Sequence, residues 1–505
     1  MILAALGGWL TNLAFPDRNW WPLAFAGVAL LLTALRKTSP GRAAGTGLAW
    51  GLCFFLPHVE WAVDATGSAL PWIALSMFQA SYIAGFAVLW AYAQRAAWIC
   101  DQALVRAATA AVLWVAVEQL RGSWPFGGFP WGYLAFSQTD APGLRLAPYG
   151  GEILVSAVVV LVAAALAASW QLALTRSTGP GALAAAGALA LTIGPGLLPV
   201  QAEQETGRLR IGAVQGDVPT VGAPWVKQAR QVTANHARGT ERVLASAGAE
   251  KLDVILWPES AADIDPRIDA AQASLVDAAA AAAGAPVLLG TQRFPDGEDV
   301  RFNEMIVWQA GEGAGPAYAK QHPVPFGEFV PYRNFFRQLT PLVDRIATDM
   351  VAGAAPAVAT IPIERLARSV PVVTGICFEV AYADIIREGV REGGELIVIP
   401  TNNASFGRSQ ESTQQLAMSR FRAAEHARAT IQISTVGVSA VITPDGEVVE
   451  RTELFTADEL VATLPLRTTL TPATRLGAIP ELGVYVLAAA AVVAGVLRGA
   501  RHPDV

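Results

Sequence analysis

The stretch VPVVTGICFE, residues 370–379, is an apolar, β-branched run that closes on a cysteine. Branched side chains favour the extended chain, so the sequence predicts a strand over residues 370–376 with a thiol at its C-terminal end. Cys377 is the only cysteine in a polar, charge-bearing block of about 280 residues, 201–480, bracketed by stretches apolar enough to cross a membrane. A disulfide-built fold is excluded for that block, and an unpaired thiol in an oxidising compartment is a liability unless it has a use. Cys53 and Cys100 lie in or beside apolar helices, where a small buried hydrophobe is the expected role.

Working outward from Cys377, the block alternates between strands and helices. LRIGAVQ (209–215), LDVILW (252–257), PVLLG (286–290) and residues 303–309, 370–376 and 396–400 read as strands. Residues 225–248, the alanine run 270–283 and residues 414–430 read as helices, and residues 431–442 return to strand. Such α/β alternation brings reactive side chains to the C-terminal ends of strands, where loops converge. Glu259 follows LDVILWP, Lys320 sits in AYAKQHPVPFGEF, and Cys377 closes VPVVTGIC.

Those three residue types make a coherent set. A thiol needs a base to become a thiolate, and a carboxylate can serve if burial raises its pKa toward neutrality. Attack on a carbonyl then develops an oxyanion that a cation such as Lys320 can stabilise. His322 is the nearest rival base, but HPVPFGE reads as a shaped loop, while His58 and His502 lie at membrane flanks.

The remainder of the chain belongs to a membrane. Hydrophobic residues make up 53% of it against 15% charged, with a mean hydropathy of +0.39, and the excess lies almost wholly before Val200 and after Leu482. Candidate crossings are residues 20–35, 44–56, 69–91, 107–120, 153–172, 182–200 and 482–497, several of them short against the roughly 20 residues that a spanning helix needs. Residues 1–15 form an eighth apolar stretch. With no basic n-region and no small-residue cleavage site before Pro16, it reads as a retained helix. The expected organisation is seven membrane helices in residues 1–200, a catalytic domain in 201–480, and a last helix with a tail in 481–505.

Together the motifs carry a resemblance. WPES, KQHPVPFGE and GICFE are similar to the nitrilase superfamily, which implies a four-layered αββα sandwich, with Glu259 as base, Lys320 as oxyanion-stabilising lysine and Cys377 as nucleophile. The same resemblance implies that Glu328 and Glu379 are supporting carboxylates. VPFGEFVPYR, GGFPWG and FGRSQESTQQLAMSRFRAAEHAR, with eight apolar helices around the block, resemble the apolipoprotein N-acyltransferase family of the bacterial inner membrane. That likeness implies transfer of an acyl chain from the sn-1 position of a phospholipid to the α-amine of a diacylglyceryl-cysteine lipoprotein. It also implies substrate contacts at Trp225, in a mobile arm, and at Phe378, Asn402 and Asn403, with no cofactor, no metal and a monomeric chain. TNNASFG departs from the family pattern, with Asn403 and Ser405 where Asp and Trp are common. WPFGGFPW, with Trp124, Phe126, Phe129 and Trp131, has the character of an interfacial platform.

Two other classes are weighed against this reading. A membrane-tethered amidase or nitrile hydrolase keeps the same triad but discharges to water, and gains nothing obvious from so many helices. A transporter needs paired polar groups or broken repeats within its helices, whereas only Glu118 and Arg121 stand near a helix boundary and no repeat is visible. A net charge of -6 without a basic aromatic stripe speaks against nucleic acid.

Short-loop charges set the orientation. Arg36, Lys37, Arg42, Arg95, Arg106, Arg176, Arg498 and Arg501 fall on one side of an alternating eight-helix chain, and Glu60 and Asp64 on the other with Arg121 and Arg145. By the positive-inside rule the first side is cytoplasmic, so the catalytic block is expected in the periplasm. A reporter active only in the periplasm is expected to work when inserted in residues 201–480 and to fail when fused after Val505; the opposite pattern reverses the orientation.

Overall fold

Two compact units make up the chain: residues 1–200 with 409–417 and 475–505, and residues 201–408 with 418–474. The structure is a computed structural model, and it describes residues 1–175, 177–199, 205–218 and 225–501.

The first unit is helical. Among the described residues, five of its helices are long and apolar enough to cross a membrane: Ala69–Ala93, Ala103–Ser123, Pro142–Leu174, Gly179–Leu197 and Ile479–Arg498. Ile2–Asn12 and Pro22–Ala34 are shorter apolar helices, and Pro40–His58 is a further helix that carries Arg42 near its start. Glu118 and Arg121, at the end of Ala103–Ser123, are both buried. Arg121 donates to the carbonyls of Phe129 (2.9 Å) and Trp131 (2.8 Å) and to Gln79 Oε1 (3.2 Å), while Glu118 Oε1 accepts from the Leu134 amide at 2.9 Å. Charges expected at a helix boundary therefore fold the GGFPWG loop, satisfying backbone groups that helix and sheet leave unpaired. The aromatic platform changes accordingly. Trp124 and Phe126 are exposed, but Trp131 is buried, and its indole donates to Gln414 Oε1 at 2.6 Å.

Among the described residues, thirteen strands build the second unit: β1 (Glu205–Gln215), β2 (Val254–Leu256), β3 (Val287–Arg293), β4 (Val300–Gln309), β5 (Gly313–Ala319), β6 (Asp349–Met350), β7 (Val358–Ile363), β8 (Arg368–Thr374), β9 (Leu396–Thr401), β10 (Thr430–Ser434), β11 (Ala440–Ile442), β12 (Val448–Arg451) and β13 (Asp458–Arg467). They form one sheet ordered β13-β1-β2-β3-β4-β5, with β6 beside β4, and another ordered β12-β11-β10-β9-β8-β7. Each sheet has three parallel strands, β1–β2–β3 in one and β8–β9–β10 in the other, with antiparallel pairings around them except for β6, which runs parallel to β4. The sheets pack on each other, with β4 and β5 against β7 and β1 against β10. Helices Trp225–Ala247 and Ala270–Ala283 cover the first sheet, and Ala383–Arg391 packs on β8 of the second. The result is the expected helix–sheet–sheet–helix layering.

Local chemistry explains the hits and the misses. The alanine run is a helix over the expected residues because Asp269 caps its first turn through the Ala271 and Gln272 amides and Gly284 ends it at φ 59°. The helix read over 414–430 is instead Glu411–His426, stopped where Ala427 takes φ 51°. Residues 431–442 are not one strand but two. The chain reverses between β10 and β11, where Ser434 Oγ accepts from the Gly437 amide at 2.8 Å.

Beneath the first sheet lies a core in which Leu289, Ile255, Val287 and Ile306 of the strands meet Val243 and Val276 of the covering helices. Leu289 is fully buried there. Leu289→Ala is expected to destabilise this unit by about 2–5 kcal/mol, read as a lowered midpoint of its thermal unfolding in the purified full chain; an unchanged midpoint contradicts a close-packed core at this strand.

Candidate active site

Glu259 stands three residues beyond β2, after Trp257 and Pro258, and is buried. Both of its carboxylate oxygens are occupied: Oε1 accepts from Asn303 Nδ2 on β4 at 2.6 Å and Oε2 from the Asn402 amide beyond β9 at 2.8 Å. Burial pushes its pKa above the ordinary carboxylate value, Lys320 opposes, Glu328 adds to the rise, and the two donors oppose again. Gly290 of β3 passes directly over this turn. A Cβ on Gly290 would lie 2.6 Å from Glu259 Cα and from the Pro258 oxygen, and 2.8 Å from the Ser260 nitrogen.

Lys320 follows β5, its amide bonded to the Asn303 carbonyl at 2.9 Å. Its side chain is almost wholly buried, and Nζ lies 2.7 Å from Glu328 Oε1 and 3.7 Å from Glu259 Oε1. Burial alone pulls an ammonium down, but Glu328, then Glu259, Cys377 and Glu379 together hold Lys320 above the ordinary lysine value. Glu328 is fixed in turn, its Oε2 accepting from the Val324 amide at 2.7 Å and its carbonyl from the Met350 amide at 2.9 Å.

Cys377 is buried and opens a 3-10 turn, Cys377–Ala381, just past β8. Its φ of 55° is rare for a side chain of this kind, a strain that costs on the order of 1–3 kcal/mol and that surrounding structure must enforce. Glu379 does much of the enforcing. Its Oε2 accepts from the Ile376 amide at 2.7 Å, and its Oε1 accepts from the Gln321 and His322 amides at 2.7 and 3.1 Å, while Tyr318 donates to both oxygens at 2.9 Å. Burial raises Glu379 to about 7 against the influence of Lys320 and these amides. Thr401 Oγ1 donates to Cys377 Sγ at 3.2 Å.

Glu259, Lys320, Cys377 and Glu379, all buried, thus gather with the partly buried Glu328 in one cluster, and the ammonium of Lys320 feels all four of the others. Asn402 joins through its backbone. Asn403 Oδ1 accepts from Ser434 Oγ at 2.6 Å, and Phe378 packs on Phe406 with ring centroids 5.9 Å apart. Trp225 begins helix Trp225–Ala247, and its side chain and residues 219–224 lie outside the described residues. The His322 ring stacks on Tyr382 with centroids 4.4 Å apart, and burial lowers its pKa, with Asp384 opposing. Among the described residues no group of His, Cys, Asp and Glu is arranged to hold a metal.

Comparison with known proteins fits this geometry. Residues 7–165 match the apolipoprotein N-acyltransferase N-terminal domain, and residues 210–471 match the carbon-nitrogen hydrolase family. The chain is 35% identical to an apolipoprotein N-acyltransferase of Mycolicibacterium smegmatis over 99% of its own length and 85% of the relative's. It belongs to the apolipoprotein N-acyltransferase family. A second such relative, from Azotobacter vinelandii, is 32% identical over 96% of this chain and 93% of its own. Among solved structures, an amidase from Nesterenkonia sp. covers 54% of this chain and 95% of its own at 15% identity and a TM-score of 0.38.

Three residues of this family member's cluster escape the sequence reading: Asn303, Tyr318 and Thr401. Tyr318 carried a usable signal, because it stands two positions before Lys320 and alternation puts both on one side of the chain. Gly290 yields the sharpest consequence. Its neighbours are backbone atoms that cannot swing aside, so Gly290→Ala is expected to displace Glu259 and slow acyl-enzyme formation at Cys377 by about 10²-fold. Single-turnover mass spectrometry checks this; a rate equal to wild type means that the close approach does not set the position of Glu259.

Proposed function

We propose that the chain N-acylates apolipoproteins: it takes an acyl chain from a phospholipid, carries it as a thioester on Cys377, and passes it to the N-terminal amine of a diacylglyceryl-cysteine lipoprotein. The observation that carries the reading is the buried Glu259–Lys320 pair beside Cys377, with both oxygens of Glu259 held by donors. The names of the full-length relatives supply the acceptor class.

Each step follows from the residues. Glu259, its pKa raised by burial, takes the Cys377 proton; the thiolate attacks the ester carbonyl, and the charge that develops on its oxygen is stabilised by the Lys320 ammonium. Collapse of the tetrahedral intermediate breaks the ester C–O bond, and the departing alkoxide takes its proton from Glu259 as a lysophospholipid. The lipoprotein amine then attacks the thioester, Glu259 accepts the proton that the nitrogen sheds, the C–S bond breaks, and Glu259 returns that proton to the departing Cys377 thiolate, restoring thiol and carboxylate. Glu328 and Glu379 keep Lys320 charged and aimed throughout. Phe378, Asn402, Asn403 and the Trp225 segment are assigned to substrate contacts.

The setting belongs to the same proposal. Eight apolar helices span the bacterial inner membrane with both termini cytoplasmic, the catalytic block in the periplasm, and the protein working as a monomer. Five helices of sufficient length and the one-sided basic loops support this.

Purified protein incubated with phospholipid alone is expected to acquire an acyl mass on the Cys377 peptide and to release a lysophospholipid. A diacylated lipoprotein peptide with a free α-amine then discharges it far faster than water does. Cys377→Ser abolishes labelling, and Glu259→Gln slows it by roughly 10²-fold or more. Equal discharge with and without acceptor, giving free fatty acid, makes the protein a hydrolase instead.

A further inference from the structure

The carboxylate of Glu259 depends on an amide that is itself held in place. Asn402 donates its backbone N–H to Glu259 Oε2 at 2.8 Å, and its side-chain Oδ1 accepts from Thr435 Oγ1 at 2.9 Å. The next residue is tied by the neighbouring hydroxyl, Ser434 Oγ donating to Asn403 Oδ1 at 2.6 Å. Ser434 ends β10 and Thr435 follows it, and the parallel register sets Ser434 opposite Thr401 at the end of β9, so two consecutive hydroxyls meet two consecutive asparagines. This edge is rooted deeper. The Ser434 amide donates to Ser439 Oγ at 3.0 Å, and Ser439 and Thr452 donate to Gln215 Oε1 of β1 at 2.6 and 2.8 Å. Ser434, Thr435, Ser439 and Gln215 have no exposed surface.

We propose that Thr435 is a positioning residue for the general base: its hydroxyl holds the Asn402 loop so that the Asn402 amide stays on Glu259. The inference rests on the reading of Glu259 as the base. A buried hydroxyl at the end of a strand is often only a strand terminus, but Thr435 has no such need of its side chain. Its backbone is anchored separately, with its amide donating to the Thr401 carbonyl at 3.2 Å and its carbonyl accepting from the Asp217 amide at 3.1 Å. The hydroxyl is therefore spent on Asn402, whose Oδ1 otherwise receives only the local Ala404 amide, at 3.2 Å.

The sign of the effect follows. An N–H donor stabilises the charged carboxylate, so loosening it raises the Glu259 pKa and leaves less base at a given pH. The charged and ionisable groups facing Glu259 are Lys320 at the end of β5 and Glu328 in the loop beyond, while Cys377 and Glu379 act on Lys320 from the segment after β8. None of these contacts runs through Thr435.

The test is single-turnover acylation of Cys377 by phospholipid across pH, in the full-length protein. Thr435→Val is expected to move the midpoint of the acid limb upward by about one pH unit, about tenfold in rate below the limb, with the rate at high pH close to wild type. Thr435→Ser keeps the hydroxyl and restores the midpoint, and Thr435→Ala reads the same shift if the valine variant is not recovered. An unmoved midpoint, whether the rate is unchanged or uniformly lower, overturns the role of Thr435. Glu259→Gln separates the two claims. If it is inactive while Thr435→Val keeps the wild-type midpoint, only the positioning role falls; if it acylates at the wild-type rate, the assignment of the base falls and the positioning role with it.

Discussion

A lysine ammonium buried away from water has to be paired or neutralised, because desolvating a lone charge costs far more than a fold can spare. Lys320 meets that demand with Glu328 at 2.7 Å and Glu259 at 3.7 Å, and Cys377 and Glu379 also raise its affinity for the proton. The carboxylates face the opposite difficulty, since burial pushes Glu259 and Glu379 toward their neutral forms. The cluster resolves both at once, the cation favouring ionised carboxylates and the carboxylates keeping the cation charged. Such a cluster works only if strand ends from both sheets deliver their side chains to one place. β2 and β5 lead to Glu259 and Lys320 from one sheet, β8 to Cys377 from the other, and the amide beyond β9 closes the gap between them.

What the sequence made legible was the framework of strand ends. Parallel strands that are buried on both faces read as short apolar runs, so LDVILW, PVLLG and VPVVTGIC announced themselves, and Glu259 after the first and Cys377 at the end of the last stood out by contrast. β5 did not, because GAGPAYA has neither alternation nor branched residues, and it is held by its neighbour β4. Asn303 was hidden for the opposite reason: it lies inside a run read as an ordinary strand, and its partner Glu259 is 44 residues away. The break between β10 and β11 was also hidden, since the β-branched residues Thr435, Val436, Val438 and Val441 continue the strand pattern across it. There the turn is decided by Ser434 bonding across to the Gly437 amide.

In the helical unit the same limit appears as a shift in what the polar residues do. Arg121 and Glu118 look like boundary charges when only hydropathy is considered, yet each is spent on backbone groups of the segment from Phe129 to Leu134. Gln414 extends the pattern, accepting from the indoles of Trp61 and Trp131 and donating to the His58 carbonyl at 3.1 Å. Partners 283 to 356 residues apart leave no trace in a local pattern.

Glu379 joins two loops that are far apart in the chain. One carboxylate holds the Ile376 amide ahead of Cys377 and the Gln321 and His322 amides behind Lys320. The Cys377 thiol and the Lys320 cation therefore share a hinge pin, and neither loop is a portable module. Anyone transplanting the GICFE segment into another scaffold would carry over the thiol and the Ile376 amide but leave behind the Gln321, His322 and Tyr318 donors that Glu379 also binds. The practical unit of exchange is the pair of loops together, with Tyr318 as the third attachment point.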